Sequence, residues 1–180
     1  MRRITAHLFH SLDGVVSAPN LFQFDQFDDG CAAAMGRSLA STDEVILGRV
    51  AYDEWAGYWP TNTEDGFGEF INPIRKNVAS RTLSGELAWQ NSHLIDGDLL
   101  EFAAALREGE GGDCTVVGIS VIRQLFLAGL LDALTLTTHP VVAGEGQRLF
   151  LGDGPMTRLT LLEHVVTEKG NIIATYGPRG

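Results

Sequence analysis

The sequence predicts an α/β fold in which a mixed sheet lies between two layers of helices. Through the first two thirds of the chain, short apolar runs alternate with segments of helical character. This alternation is typical of parallel strands joined by crossover helices. In the last third, one strand-like segment follows another, which predicts antiparallel strands. We therefore expect a three-layer α-β-α sheet, mostly parallel, with a C-terminal antiparallel hairpin.

Strands are predicted where short apolar or alternating runs lie between turn-forming residues. These runs cover 4–9, 43–48, 77–80, 114–118, 133–139, 158–167 and 171–176, and the turn at 168–171 has the composition of a hairpin connection. Helices are predicted over 29–40, from Arg49 to before Pro60, around 66–72, over 98–108, and through Val121–Phe126 up to Gly129. Asp98 and Glu101 have the spacing of a capping box. Residues 61–68 have the composition of an irregular loop.

Length and composition limit the classes of protein that remain. A chain of 180 residues with 44% hydrophobic residues fits one domain, 1–180, with a sizeable core. No apolar run reaches the roughly 18 residues of a membrane span, and the N-terminus is too short and polar for a signal peptide. A cytoplasmic protein is the simplest interpretation. The net charge of −10 disfavours nucleic-acid binding.

The few cysteines and histidines predict neither a disulfide nor a metal site. Cys31 and Cys114 lie far apart, without a Cys-x-x-Cys pattern. The five histidines are scattered along the chain, so a metal site would need long-range convergence. We expect no metal.

Three strand ends carry residues suited to phosphate. Gly48-Arg49 and Gly118-Ile119-Ser120 each place a glycine between a buried strand and the helix that follows. Helix N-termini attract phosphate, and glycine lets a ligand approach the backbone. Ser80-Arg81-Thr82 follows a third strand. Each turn alone also fits ordinary turn geometry, but three of them at one sheet edge favour a nucleotide.

Asp13 is a candidate general acid or base. It follows the first predicted strand and precedes Gly14, so it can line a cleft at the sheet edge. The Asp-Gly pair is also a common turn sequence, and that interpretation remains open. No Ser/His/Asp or Cys/His order suggests nucleophilic catalysis.

A set of short motifs extends along nearly the whole chain. They are 11–16 (SLDGVV), 46–52 (ILGRVAY), 76–83 (KNVASRTL), 112–120 (GDCTVVGIS), 129–132 (GLLD) and 139–150 (HPVVAGEGQRLF). In this order and spacing the chain resembles the reductase domain of bacterial riboflavin biosynthesis, the C-terminal half of the bifunctional deaminase-reductase, and its stand-alone relatives. The resemblance implies a dihydrofolate-reductase-like fold and an NADPH-dependent reductase acting on a pyrimidine- or pterin-like ring. The sequence has no zinc-ligand spacing of a deaminase domain, so we expect the reductase type alone.

The resemblance also implies which residues contact the cofactor. Gly48 and Arg49 would meet the phosphates, and Ser80, Arg81 and Thr82 would surround the adenosine side with its 2′-phosphate. Gly118, Ile119, Ser120, Val121 and Ile122 would hold the pyrophosphate and nicotinamide half. The loop with Leu12, Gly14 and Val16 would cover the nicotinamide.

Two positions depart from the family pattern. Ala51 replaces a frequent Thr and removes a hydroxyl donor. Gly118-Ile119 replaces the Gly-Gly pair of dihydrofolate reductases, and we expect a trans bond there because a cis bond before a non-proline residue is costly.

Two alternatives to this function stay open. A dihydrofolate-type reductase would need a pterin-binding carboxylate, for which Asp25, Asp28 and Asp29 are candidates. A non-catalytic nucleotide-binding or sensor protein would keep the fold, and the loss of Thr at Ala51 favours it mildly. A homodimer is expected from the resemblance and from the 133–140 segment, interpreted as a sheet edge that needs covering.

Overall fold

One eight-stranded mixed sheet organises the protein. The computed structural model describes residues 1–62, 64, 66–152 and 154–179. The strands are β1 (Ile4–Ser11), β2 (Thr42–Gly48), β3 (Arg75–Ala79), β4 (Ser92–Leu94), β5 (Asp113–Val117), β6 (Ala133–His139), β7 (Leu159–Val166) and β8 (Ile172–Pro178). Their spatial order is β4-β3-β2-β5-β1-β6-β8-β7. The pairs from β4 to β6 are parallel, and β8 pairs antiparallel with both β6 and β7.

Among the described residues, five α-helices cover the two faces of this sheet. They are α1 (Asp29–Ser41), α2 (Arg49–Ala56), α3 (Gly66–Ile71), α4 (Leu99–Glu108) and α5 (Ile119–Leu127), with single 3-10 turns at Pro19–Leu21 and Trp59–Thr61. α4 begins as predicted, because the Asp98 carboxylate accepts hydrogen bonds from the amides of Leu100 and Glu101. No helix among the described residues is long and apolar enough to cross a membrane.

The main core lies on the sheet face covered by α4 and α5. Alternate residues of β1, such as Ile4 and Ala6, pack there against Ile122 and Leu125 of α5, and all four are buried. A second apolar cluster lies on the opposite face, where Tyr52 of α2 and Ile71 of α3 cover Leu47 and neighbouring side chains of β2 and β3. Helices therefore lie on both faces, which confirms the three-layer prediction.

The sheet face beneath α1 is polar instead of apolar. Only Cys31 and Ala34 of this helix are buried. Hydroxyl and imidazole groups there bond to one another across the strands: Thr42–Thr115, Thr115–Thr5, His7–Thr137 and Thr135–Thr175, at 2.7 to 3.4 Å. These pairs satisfy groups that would otherwise be costly to bury. The layer beneath α1 is thus held by hydrogen bonds more than by packing.

Two details of the strand predictions are wrong. β6 was expected at a sheet edge, but it lies inside the sheet, hydrogen-bonded to β1 on one side and β8 on the other. The edge strands are β4 and β7. β4 was not predicted, because a strand of three residues is too short to show alternation. The irregular-loop prediction for 61–68 falls partly on residues 63 and 65, which lie outside the described residues.

Candidate functional site

The predicted cofactor residues meet at the carboxyl edge of the parallel strands. β3, β2 and β5 are neighbours and run in the same direction. The turns that follow them therefore lie side by side, as the sequence predicted. In open α/β sheets this edge is where ligands bind. β1 and β6 end at the same edge and bring Leu12 and His139 to it.

Gly48 and Gly118 face each other at the centre of this edge. Gly118 has φ +114° and ψ 122°, a conformation that residues with a side chain rarely adopt. A Cβ atom on Gly118 would lie 3.3 Å from both Cα and N of Gly48. A Cβ atom on Gly48 would lie 3.0 Å from Cγ2 of Val121. The absence of side chains on both residues lets the two strand-to-helix turns pack against each other.

The two helices that begin here supply donors and positive charge. α2 starts at Arg49, and α5 starts at Ile119. The amides of a helix's first turn have no carbonyl partner within the helix, and the helix dipole favours an anion there. The Arg49 guanidinium is half-exposed and donates to the Asp53 carboxylate at 2.7 Å. No described peptide bond is cis, so the expected trans bond at Gly118–Ile119 is confirmed.

The Ser80 turn lies beside them, after β3. Ser80 Oγ accepts hydrogen bonds from the amides of Thr82 and Leu83 at 3.2 and 2.9 Å. This is a turn closed by a serine side chain. It holds Arg81 and Thr82 exposed at the edge. The turn therefore presents one cationic and one hydroxyl side chain to solvent.

The loop after β1 is tied to the segment after β6. Leu12 N donates to Val141 O, and Val16 N donates to Gln147 O, both at 2.8 Å. Gly146 approaches so closely that a Cβ atom on it would lie 2.4 Å from Val15 Cγ1. Val15 and Val16 are buried, whereas Leu12 is 62% exposed. The loop is thus anchored at its end and presents Leu12 to solvent.

Asp13 is the centre of this connection. Its carboxylate accepts hydrogen bonds from Ser11 Oγ at 2.6 Å and from the amides of Ala143 and Gly144 at 2.9 Å each. Arg148 donates to the same carboxylate at 3.3 Å. The hydrogen bond from Ser11, followed by those from the two amides, lowers the pKa of Asp13 to about 2. At neutral pH this carboxylate is ionised and its acceptor positions are occupied.

Sequence reasoning missed the two arginines that hold the segment after β6. Arg148 also donates to the carbonyl oxygen of Asp13 at 2.8 Å. Arg123, on α5, donates to the carbonyl oxygens of Leu149 and Arg148 at 2.7 and 2.8 Å. The match of 139–150 to the family pattern was the sequence feature that pointed to this segment. These contacts connect α5 to the loop that carries Asp13.

The three aspartates proposed as pterin ligands have different environments. Asp28 caps α1 by accepting from Cys31 N at 3.0 Å and also accepts from Lys169 N at 2.9 Å. Burial alone would raise the pKa of Asp28, but these bonds and one from Thr167 hold it below its usual range. Asp25 and Asp29 are exposed. Asp28 therefore has a structural task, because it holds the start of α1 to the turn before β8. The Asp25 carboxylate accepts a hydrogen bond from the side-chain amide of Gln26 at 3.5 Å.

Two cavities lie away from the glycine turns. One, of about 240 Å³, opens between α1 and the polar sheet face, near His7, Arg37 and Glu163. The other, of about 360 Å³, lies between Arg123 and the 146–152 segment. No group of three or more His, Cys, Asp or Glu side chains in the described ranges could hold a metal ion.

The chain matches a known protein family over most of its length. The RibD C-terminal domain family matches residues 2–173. The chain belongs to the RibD C-terminal domain family. Within curated sequences it is 32% identical over 155 residues to the uncharacterised YyaP protein of Bacillus subtilis (strain 168), covering 83% of this chain and 81% of that one.

Two solved structures show the shared fold of this RibD-type domain. A protein of Shewanella sp. PV-4, provisionally assigned to riboflavin biosynthesis, has a TM-score of 0.73 at 20% identity, with 99% of each chain covered. Dihydrofolate reductase from Enterococcus faecalis, solved in complex with NADP(H) and RAB-propyl, has a TM-score of 0.62 at 16% identity, covering 99% of this chain and 97% of that one. The predicted dihydrofolate-reductase-like fold is therefore confirmed.

Proposed function

We propose that the protein is an NADPH-dependent reductase that transfers a hydride to a pyrimidine-like, pterin-like or related small substrate. In this it would resemble 5-amino-6-(5-phosphoribosylamino)uracil reductase. The observation that carries the proposal is the pair of facing glycines, Gly48 and Gly118, at the sheet edge where two helices begin. A side chain on either glycine would collide with the neighbouring turn, so the two glycines let the two helix N-termini lie side by side. Membership of a reductase family supports the same conclusion.

The residues at this edge suit the parts of a dinucleotide. Gly48 and Arg49 would bind phosphate, and Ser80, Arg81 and Thr82 would bind the adenosine side with its 2′-phosphate. The first turn of α5, Gly118–Ile122, would hold the pyrophosphate and nicotinamide half. Leu12, Gly14 and Val16 would cover the nicotinamide. When bound, NADPH supplies the hydride, and the chain binds and orients the reactants.

The proton for the reduced ring is best supplied by water. Asp13 was the only candidate acid, and with a pKa of about 2 it holds no proton to donate at neutral pH. Its bonds to Ser11, Ala143 and Gly144 suit a role in holding the two loops together. A catalytic role for Asp13 remains a hypothesis. It would be supported if Asp13→Asn lost turnover but kept its affinity for NADPH and its melting temperature.

The cofactor assignment is tested by direct binding. We expect tighter binding of NADPH than of NADH, measured by fluorescence titration, because Arg81 would meet the 2′-phosphate. Arg81→Gln should weaken NADPH binding about tenfold, ~1.4 kcal/mol, and leave NADH binding nearly unchanged. Arg158→Gln, which changes an exposed arginine before β7, is the matched control. Equal affinity for the two cofactors in the wild type would contradict the 2′-phosphate assignment.

A non-catalytic nucleotide-binding protein is the second candidate. Ala51 favours it, because this residue is buried beside the glycine pair and has no hydroxyl to offer a ligand. The two candidates differ in NADPH consumption. We expect oxidation of NADPH with at least one member of a panel of pyrimidines and pterins, followed by absorbance. Binding of NADPH with no oxidation across the panel would favour the second candidate.

We also propose a homodimer, formed through β7 instead of β6. β7 is an edge strand, and seven of its eight residues are exposed, including Leu161, Leu162, Val165 and Val166. An exposed apolar edge strand is a template for pairing with another strand. We expect a dimer by light scattering at micromolar concentration and a monomer for Val166→Lys. A monomeric wild type would contradict the dimer, and a dimeric Val166→Lys variant would exclude this surface.

A further inference from the structure

His139 is the buried histidine at the carboxyl end of β6. It pairs with Ser11 across β1 and β6, so it lies next to the loop that begins at Leu12. Its imidazole is fully buried and stacks on Phe9, with ring centroids 5.7 Å apart and planes at 26°. Phe22 covers it edge-on at 5.9 Å. An imidazole between two aromatic rings thus stands at the edge where the strands end.

The hydrogen bonds of Asn171 fix the tautomer of this imidazole. His139 Nδ1 lies 2.7 Å from Asn171 Oδ1. The amide nitrogen of Asn171 donates to Gln26 O at 2.7 Å and to Thr167 Oγ1 at 3.0 Å, so its Oδ1 can only accept. Nδ1 therefore carries the hydrogen and donates it to Asn171. In the neutral ring this leaves Nε2 with a free lone pair.

That lone pair has no partner in the part of the chain that the structure describes. Nε2 of His139 is buried and makes no hydrogen bond to any described residue. The two histidines nearby in the same pair of strands differ: His7 Nε2 bonds to Thr137 at 2.8 Å, and His10 Nε2 bonds to Thr138 at 2.7 Å. Buried polar side-chain atoms are normally paired, and an unpaired one calls for an explanation. A ligand with an N–H group would supply the missing donor.

The segment that covers His139, residues 18–27, has an unusual backbone conformation at its start and exposes large apolar side chains. Residues 18–27 begin at Ala18 with φ 45°, a left-handed conformation unusual for alanine. Leu21 and Phe24 point to solvent, 82% and 76% exposed, while Phe22 covers the imidazole. A second buried acceptor without a partner, Gln23 Oε1, belongs to the same segment. One unpaired acceptor therefore belongs to this segment, and the other lies beneath its Phe22 ring.

We propose that His139 Nε2 accepts a hydrogen bond from an N–H group of a planar heterocyclic substrate, which takes the place of the Phe22 ring. This inference rests on the proposed reductase function and assigns one substrate-binding residue to it. The chemistry required of the substrate is a flat ring that stacks against the aromatic cluster and carries an N–H donor at its edge. A ring with every nitrogen methylated would fit the same surface but leave Nε2 unpaired.

The test uses a matched pair of ligands and the full chain. Lumazine carries ring N–H groups, and 1,3-dimethyllumazine has the same bicyclic ring with those groups blocked. The protein is labelled with ¹⁵N-histidine and titrated with each ligand, with and without NADPH. We expect lumazine to shift the Nε2 resonance of His139 towards the hydrogen-bonded range and dimethyllumazine to leave it in place. No shift with lumazine, or equal shifts with both ligands, overturns the inference.

Variants provide a second readout. In His139→Asn the side-chain amide can replace the Nδ1 donor to Asn171, but nothing replaces Nε2. We expect lumazine to bind this variant about tenfold more weakly than wild type by calorimetry, the size of one hydrogen bond to an otherwise unpaired group. His10→Asn is the matched control, with less than a twofold change. Unchanged lumazine affinity in a folded His139→Asn variant overturns the inference.

The outcomes separate this inference from the proposed function. Should His139→Asn fail to fold, the resonance of His139 in the wild type decides alone. NADPH binding without any effect of lumazine on Nε2 overturns the role of His139 and leaves the reductase proposal standing. An Nε2 shift with lumazine in a protein that does not bind NADPH supports the histidine's role in binding and contradicts the reductase proposal.

Discussion

Replacing Gly118 with alanine tests the packing of the candidate site most directly. Gly118 has φ +114°, and a Cβ atom on it would lie 3.3 Å from two backbone atoms of Gly48. The strained conformation costs on the order of 1–3 kcal/mol. Crowding against backbone that belongs to a neighbouring strand adds roughly 1–2 kcal/mol, because β2 must shift as a unit. We therefore expect Gly118→Ala to lower the free energy of unfolding by about 2–5 kcal/mol.

The matched control is an alanine at Gly129, just beyond the other end of the same helix. Gly129 also has a positive φ, +69°, but a Cβ atom there would have no neighbour within 4 Å. Its cost is therefore conformational only, about 1–2 kcal/mol.

The assay is urea unfolding, with thermal melts as a second measurement. For a domain of this size, each kcal/mol lowers the melting temperature by roughly 2–4 °C. Gly118→Ala should therefore melt about 4–20 °C below wild type and below Gly129→Ala. Equal destabilisation by the two substitutions would show that the contact between Gly118 and Gly48 contributes nothing, and would refute the packing argument.

Three further predictions concern titration, capping and thiol reactivity. Burial lowers the pKa of His7 to about 4, so between pH 6.5 and 4 the unfolded chain binds a proton that the folded protein does not. The free energy of unfolding should fall by up to ~3 kcal/mol across that window, and equal pH dependence in His7→Gln would contradict this cause. Asp98→Ala should cost about 1 kcal/mol in urea unfolding by removing the cap of α4, and an equal loss in the exposed Asp96→Ala variant would argue against capping. Burial raises the pKa of Cys114 to about 12 and also raises that of Cys31, so neither thiol should react with a thiol reagent until the protein unfolds; rapid native labelling would contradict this.

The order of elements was predictable because local signals agreed with the fold. The capping of α4 by Asp98 and the turns after β2 and β5 follow from residue type and spacing alone. The placement of β6 was wrong for the opposite reason. Its alternating pattern resembles a half-exposed strand, but the hydroxyls of Thr135 and Thr137 face a polar layer inside the protein. An alternating pattern indicates which face of a strand is polar. In β6 that polar face lies inside the protein instead of facing solvent.

The candidate site was predictable in part. Glycines at strand ends identify a backbone that a ligand can approach, so Gly48 and Gly118 could be found from the sequence. The roles of Asp13 and His139 could not, because each depends on partners more than 30 residues away, such as Gly144 and Asn171. The sequence does not distinguish an aspartate whose carboxylate is held by backbone amides from any other aspartate. Nor does it distinguish a histidine with one unpaired ring nitrogen from any other histidine.

The hydroxyl layer beneath α1 has a consequence for how the protein opens. α1 buries only two small side chains, Cys31 and Ala34, whereas α5 inserts Val121, Ile122 and Leu125 into the main core. Regions with few buried apolar contacts open with a smaller free energy than the global unfolding reaction. The backbone amides of α1 should therefore exchange with deuterium well before those of α5. The helix that follows the segment over His139 should therefore detach from the sheet before α5 does.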